Sequence, residues 1–236
     1  MAASSVAKGE WTARAGLGSV PAMTSMTAPT TRELVVLDFE TTGLLPARDR
    51  TIEVAATLMV DQRPVDTFCR LMHPGFAVPP FITSLTGITN EMLRGQPRPE
   101  EVMPGLQRFV RGLPIVAHNA SFDRGFLQAE LARAGLRLES EFLCTMRLAR
   151  RLAPGLPSYR LDALVDALQE RPPSARQFHR SLADVNHTVA IWQSLYARFT
   201  EHTGLAAPSV AILSTLMRKS KKQVAKYLAS LHVQKD

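Results

Sequence analysis

The sequence predicts an α/β protein with a mixed five-stranded sheet flanked by helices, and three observations carry that reading. A β-branched and aromatic run opens the patterned part of the chain at 33–39. Two strand-like runs follow it across a turn, and from about residue 100 helical and strand patterns alternate. Strands first, then alternating helices and strands, is the order of a sheet with helices packed on it.

The elements follow in chain order. Residues 1–31 are rich in Ala, Ser, Thr and Gly and have no apolar periodicity to fix them to a core, so they are expected to be a disordered extension. They lack the continuous apolar segment of a secretory signal, and they match the composition of an organellar transit peptide only weakly. Met23 and Met26 leave a later translation start open. The first strand begins at Glu33 and ends in the turn residues Thr41, Thr42 and Gly43. Runs at 51–60 and 65–72 flank the turn-like Asp61 to Pro64, which makes them hairpin partners and gives three adjacent antiparallel strands. A helix at 100–111, a strand at 114–117, a helix at 121–134 and a short fifth strand at 142–145 come next. At 181–199, Leu182, Val185, Val189, Trp192 and Tyr196 recur at spacings of three and four, the apolar stripe of an amphipathic helix.

One folded domain over 32–204 is therefore expected, followed by a basic helical tail over 205–236 that Gly204 and Pro208 set apart. Within the tail, 210–217 and 223–231 read as two short helices capped by Ser209 and Ser220.

A chain of 236 residues that is 45% apolar has room for one complete core. No stretch approaches the ~20 consecutive apolar residues of a spanning helix, so a membrane protein is not expected. Cys69 and Cys144 are too few for a disulfide framework and lack zinc-site spacing, which suits a reducing, cytoplasmic setting. The formal charge of +7 is unevenly placed. From Arg32 to Leu216 there are 20 Arg, no Lys and 19 acids, whereas 217–236 carries six basic residues and one acid. The excess belongs to the tail, which is either a solvated basic end that packs one apolar stripe on the core or a set of cations for a polyanionic partner.

Three constellations carry chemistry. Asp38 and Glu40 stand two apart at the end of the first strand, so strand alternation turns both carboxylates to one face. Their repulsion is relieved by a cation, and hard oxygen donors select Mg²⁺ or Mn²⁺; two exposed acids at a strand end is the plainer alternative. His118-Asn-Ala-Ser-Phe-Asp123 passes from a strand into a helix with Asp123 in its first turn. There the acid could equally complement the helix dipole, and His118 and Asn119 could be loop formers. His179-Arg-Ser-Leu-Ala-Asp184 puts Asp184 about one turn into the long helix and His179 just before it. A spacing of five does not share a helical face, so His179 is better suited to approach a water molecule than to ligate a metal beside Asp184.

Val-Val-Leu-Asp38-Phe-Glu40-Thr-Thr-Gly-Leu44, His118 through Asp123 and His179 through Asp184 resemble, in order and spacing, the three motifs of the DEDDh (DnaQ-like) 3′–5′ exonuclease superfamily. The resemblance is closest to the epsilon proofreading subunit of bacterial DNA polymerase III and its stand-alone relatives. It spans 33–199, and Leu85-Thr-Gly-Ile-Thr-Asn-Glu-Met92 resembles the segment those proteins carry between the first two motifs. It implies a ribonuclease-H-like fold and two-metal hydrolysis of a terminal phosphodiester. Asp38, Glu40, Asp123 and Asp184 would be the catalytic metal ligands, for two Mg²⁺ or Mn²⁺. Asp38 would bridge both ions, Glu40 and Asp184 complete the first, and Asp123 support the second. His179 would be the general base, a role an imidazole suits. Thr41, Leu44, Asn119 and Phe122 would contact the terminal nucleotide.

The implied partner is a single-stranded 3′ end, with DNA favoured because Phe39, Thr41 and Thr42 resemble the proofreading branch. Three alternatives stay open. The substrate could be RNA, as the resemblance also extends to oligoribonucleases and ribonuclease T. The domain could hold nucleic acid or a polymerase without catalysis. It could act as a polymerase subunit or alone, since no clamp-binding peptide is recognisable after 199.

Overall fold

The structure, a computed structural model, describes residues 30–168 and 180–232. Its centre is β1 (Glu33–Thr41), whose run Leu34 to Leu37 is fully buried on both faces. The antiparallel strands β2 (Thr51–Val60) and β3 (Arg63–Leu71) extend the sheet to one side. The short parallel strands β4 (Ile115–Ala117) and β5 (Phe142–Cys144) extend it to the other. The order β3-β2-β1-β4-β5 is the mixed five-stranded sheet that the sequence predicts.

Alternation along β1 sorts the helices onto two faces. Val35, Leu37 and Phe39 point to one side, where Val102, Met103 and Leu106 of α3 (Pro99–Val110) and Phe126, Leu127 and Leu131 of α4 (Ser121–Arg133) meet them. Leu34 and Val36 point to the other. That side is covered by α5 (Thr145–Leu152), α6 (Leu161–Leu168), α7 (Ser181–Thr203), α8 (Val210–Arg218) and α9 (Lys221–Ser230). Asp38 and Glu40 continue the even-numbered register, so they face α7.

The expected helices and strands recur within a few residues of their sequence bounds, with β3 starting two residues earlier, at Arg63. Pattern reading gave no sign of α5 or α6. The segment 85–92, noted only for its resemblance, runs from the end of α1 (Pro80–Thr86) into α2 (Asn90–Leu93). On α7, Val185, Val189 and Trp192 are buried as expected, but Leu182 is exposed, because the first turn of that helix meets the acidic end of the sheet instead of the core.

The tail is joined to the domain. Val210, Leu213, Leu216 and Met217 of α8 and Leu228 of α9 lie in the same core as Leu34 and Val36. Ser209 caps α8 through Ile212 N–H, and Ser220 forms a capping box with Gln223. Of the expected disordered extension, Thr30 and Thr31 are described and attached: Thr30 pairs with Ser209, and buried Thr31 bonds the Pro208 carbonyl. The rest of that expectation lies outside the described residues. No described helix is long and apolar enough to cross a membrane.

Candidate active site

The site forms where β1 outruns its neighbour. Strand β4 ends at Ala117 and pairs with β1 only at Val35 and Val36, leaving the backbone of Phe39 without a strand partner on that side. Asp123, in the first turn of α4, fills the gap by accepting a hydrogen bond from Phe39 N–H at 3.3 Å. Its carboxylate is 1% exposed, so it is docked on the strand, a tighter role than a surface acid complementing a helix dipole.

Asp38, Glu40 and Asp184 each offer a carboxylate oxygen, and these atoms lie within 4.8 Å of one another. The strand delivers the first two and the first turn of α7 delivers the third. Asp123 stands beside this trio, outside the mutual 4.8 Å grouping. Crowding and burial show in the protonation of the group. Desolvation, then the charges of Asp123, Asp184, Glu40 and Glu53, hold the Asp38 carboxyl well above the usual range. Burial and the neighbouring Asp184 push Glu40 up to about 8. Asp123 is pushed to about 7 by burial, against the lowering effect of its backbone hydrogen bonds. A set of oxygen donors that cannot all ionise together is what a divalent cation relieves, and all-oxygen ligation suits Mg²⁺ or Mn²⁺. The residues therefore fit the metals that the sequence implies.

The first turn of α7 is set by a pair that sequence reading missed. Glu53 on β2 lies in register with Glu40 and is buried. It accepts Ser181 N–H at 2.9 Å, satisfying one of the free donors at the helix start. Arg180 donates to both of its oxygens, at 2.7 and 3.2 Å. An acid inside the otherwise apolar run 51–60 was the available signal. A second buried acid, Glu130 of α4, binds Arg50 and the Thr51 N–H, fixing the start of β2 against α4.

The other motif histidine is held in the fold. Burial pulls His118 down to about 4, and its Nδ1 lies 2.9 Å from the Thr145 hydroxyl, so it is neutral and holds β4 to α5. His187, 3.8 Å from the Asp184 carboxylate, is also lowered by burial. His179 lies outside the described residues. Arg180 and Ser181, which follow it, are held against Glu53.

The expected nucleotide contacts rim the same end of the sheet. Thr41 is buried, its hydroxyl donating to the Gly43 carbonyl at 2.6 Å. A Cβ on Gly43 would sit 2.5 Å from the Asp49 carboxylate, so a side chain there would push aside the group that accepts Leu45 N–H. The loop turns Leu44 outward, 78% exposed. Asn119 is exposed and left-handed (φ 61), a conformation that asparagine tolerates. Phe122 is half-buried, with its ring 4.9 Å from that of Phe126.

Residues 35–192 match the RNase T family model, described as exonuclease. A DNA polymerase III PolC-type from Caldanaerobacter subterraneus subsp. tengcongensis is 33% identical over 194 residues, 82% of this chain and 13% of that protein. The 3′-5′ exonuclease DinG of Bacillus subtilis is 34% identical over 172 residues, 72% of this chain and 18% of that one. The chain thus spans a small fraction of these curated relatives. Exonuclease X in complex with 5′ overhanging duplex DNA superposes with a TM-score of 0.56 at 28% identity, covering 83% of this chain and 99% of that one. E. coli exonuclease I with a dT13 oligonucleotide shares the fold, with a TM-score of 0.60 at 20% identity over 72% of this chain and 42% of that one. The ribonuclease-H-like arrangement expected from the motifs is therefore present, and the chain belongs to the RNase T exonuclease family.

Proposed function

We propose that this protein is a 3′–5′ exonuclease that removes nucleotides from single-stranded DNA ends by two-metal hydrolysis. The observation that carries the reading is the convergence of Asp38, Glu40 and Asp184 oxygens within 4.8 Å, with Asp123 docked on the same strand end. Asp38, Glu40, Asp123 and Asp184 would hold two Mg²⁺ or Mn²⁺. When bound, such ions stabilise the attacking and leaving oxygens of an in-line displacement. Before that, the carboxylates must give up the protons that burial favours, and the fixed turn of α7 keeps Asp184 aimed at the strand. His179 takes the proton of the attacking water, and Leu44, Thr41, Asn119 and Phe122 bound the terminal nucleotide. The DNA preference draws on relatives named as a DNA polymerase and a 3′-5′ exonuclease, and on a neighbour solved with DNA. A proofreading or repair role, acting alone or beside a polymerase, in the reducing cytoplasm that two free cysteines suit, completes the reading.

The test is purified protein with Mg²⁺ or Mn²⁺ on 5′-labelled DNA and RNA strands of one sequence. A ladder shortening one nucleotide at a time, faster on DNA, is expected. Faster RNA shortening would move the enzyme to the RNA-trimming class, and binding without shortening would make it a non-catalytic module.

A further inference from the structure

The tail helices complete a basic cavity at the β5 edge of the sheet, away from the carboxylate cluster. Arg124 reaches it from the first turn of α4, Arg147 from the first turn of α5 and Arg218 from the last residue of α8. Ser140 and Glu141, at the entry to β5, form its wall. The cavity is about 280 Å³, close to the ~300 Å³ at which small-ligand sites begin.

Three guanidinium groups face this space with one carboxylate, that of Glu141, and none of the three forms an ion pair among the described residues. Their partners are uncharged. Arg147 donates to the Met217 carbonyl at 3.3 Å, Arg218 to the Thr215 hydroxyl at 3.3 Å, and Arg124 lies 5.8 Å from the centre of the Phe142 ring. These three arginines are exposed, whereas the more buried Arg50 is paired with Glu100 and Glu130 and Arg180 with Glu53. A second observation points the same way. The Ser140 hydroxyl is buried at the cavity wall and has no hydrogen-bond partner among the described residues, a state that costs free energy until something meets it.

Convergent arginines repel one another unless an anion lies between them, and the planar guanidinium fork matches phosphate oxygens in pairs. Arg124 directly follows Asp123, so the cavity and the carboxylate cluster share the first turn of α4. We propose that Arg124, Arg147, Arg218 and Ser140 form a binding site for a backbone phosphate of the strand being degraded, upstream of the bond to be cut. The inference rests on the nuclease reading above. It adds a role for the tail, which lies outside the 35–192 family match: α8 packs its apolar side on the core and delivers Arg218 to the phosphate.

The experiment compares the full chain with Arg147→Gln/Arg218→Gln. Affinity for a long single strand is measured against salt with chelator present, and turnover is measured on a dinucleotide too short to reach the cavity. Leaving that one phosphate unneutralised should flatten the log affinity–log salt slope by up to about 0.7, and this is the change expected of the double substitution. The long-strand KM should rise, while dinucleotide turnover and Tm stay as in the parent. An unchanged slope, or an equal loss on the dinucleotide, overturns the site. If the double variant loses Tm, Arg218→Gln alone, at an exposed helix end, is decisive: a weaker affinity with a flatter slope supports the site and no change removes it. A duplex with a recessed 3′ end is the second arm, and flattening confined to it would overturn the assignment to the degraded strand. A parent protein that neither binds nor shortens any strand would remove the nuclease reading itself, an outcome distinct from an active parent with an unaltered variant.

Discussion

Arg180 grips both carboxylate oxygens of Glu53, and that one contact joins the β2 strand beside the acidic cluster to the first turn of the helix that carries Asp184. Glu53 is also one of the charges that hold Asp38 and Glu40 protonated. Arg180 opposes this, lowering the Glu40 carboxyl. Arg180→Met leaves a buried carboxylate unpaired. Breaking such a pair costs about 3–5 kcal/mol, and since the Arg180 side chain is 32% exposed, solvent screening puts the effect near the lower figure. At roughly 2–4 °C per kcal/mol, Tm should fall by roughly 6–12 °C. Glu53→Gln keeps an acceptor for Ser181 N–H and should lose less. Both variants should lower kcat more than KM, because Asp184 is displaced while the nucleotide contacts remain. An unchanged kcat in Arg180→Met would remove the positioning role.

Asp123→Asn should abolish hydrolysis and leave the fold intact. The amide still accepts from Phe39 N–H, and the substitution removes one member of a like-charge cluster. Turnover and Tm in metal-free buffer check it. Near-parental turnover with Mg²⁺ would take Asp123 out of the site.

His179→Ala should cut turnover by roughly 10²–10⁴-fold, the scale of a missing general base, while metal-induced stabilisation persists. The parent rate should rise with pH through an inflection near ~6–7. If the variant keeps that inflection, another group is the base. His118, already neutral across this range, is not the alternative.

Metal-free protein should lose stability as pH rises. The folded pKa of Glu40 is raised from 4.5 to about 8 and that of Asp123 from 3.8 to about 7, so between those limits the folded state binds more protons than the unfolded one. Their contribution is complete below the unfolded values and is lost as pH passes the folded ones. Tm without divalent cations should therefore decline from about pH 4 to about pH 8. Mg²⁺ or Mn²⁺ should raise Tm, and more so at the alkaline end, where the carboxylates are charged. A metal-free Tm that climbs steadily to pH 8 would contradict the crowded-carboxylate site.

Local pattern was enough for the strands, most helices and both tail caps, because period-two and near-four spacing and capping chemistry act over a few residues. It also put Asp38 and Glu40 on one face. It was not enough for α5 and α6, whose Arg-rich or brief apolar repeats give a weak signal over eight residues each. Nor could it reveal that Leu182 faces outward. Spacing describes a stripe on a helix, while burial depends on what the sheet presents opposite each turn.

By itself the sequence determined the order of strands and helices, the candidate carboxylates, the uneven charge and the family resemblance. Tertiary structure alone decided that the Asp184 oxygen comes within 4.8 Å of those of Asp38 and Glu40, that Asp123 replaces a missing strand partner at Phe39, and that Glu53 and Arg180, 127 residues apart, lock the helix start. It also packed the apolar side of the basic tail on the domain core and set Arg218 at one cavity with Arg124 and Arg147. The physical reason is range. Backbone propensity and side-chain periodicity are written in neighbouring residues, whereas a pair of charges gains its strength, or its repulsion, only when folding removes both from water and sets them a few ångströms apart.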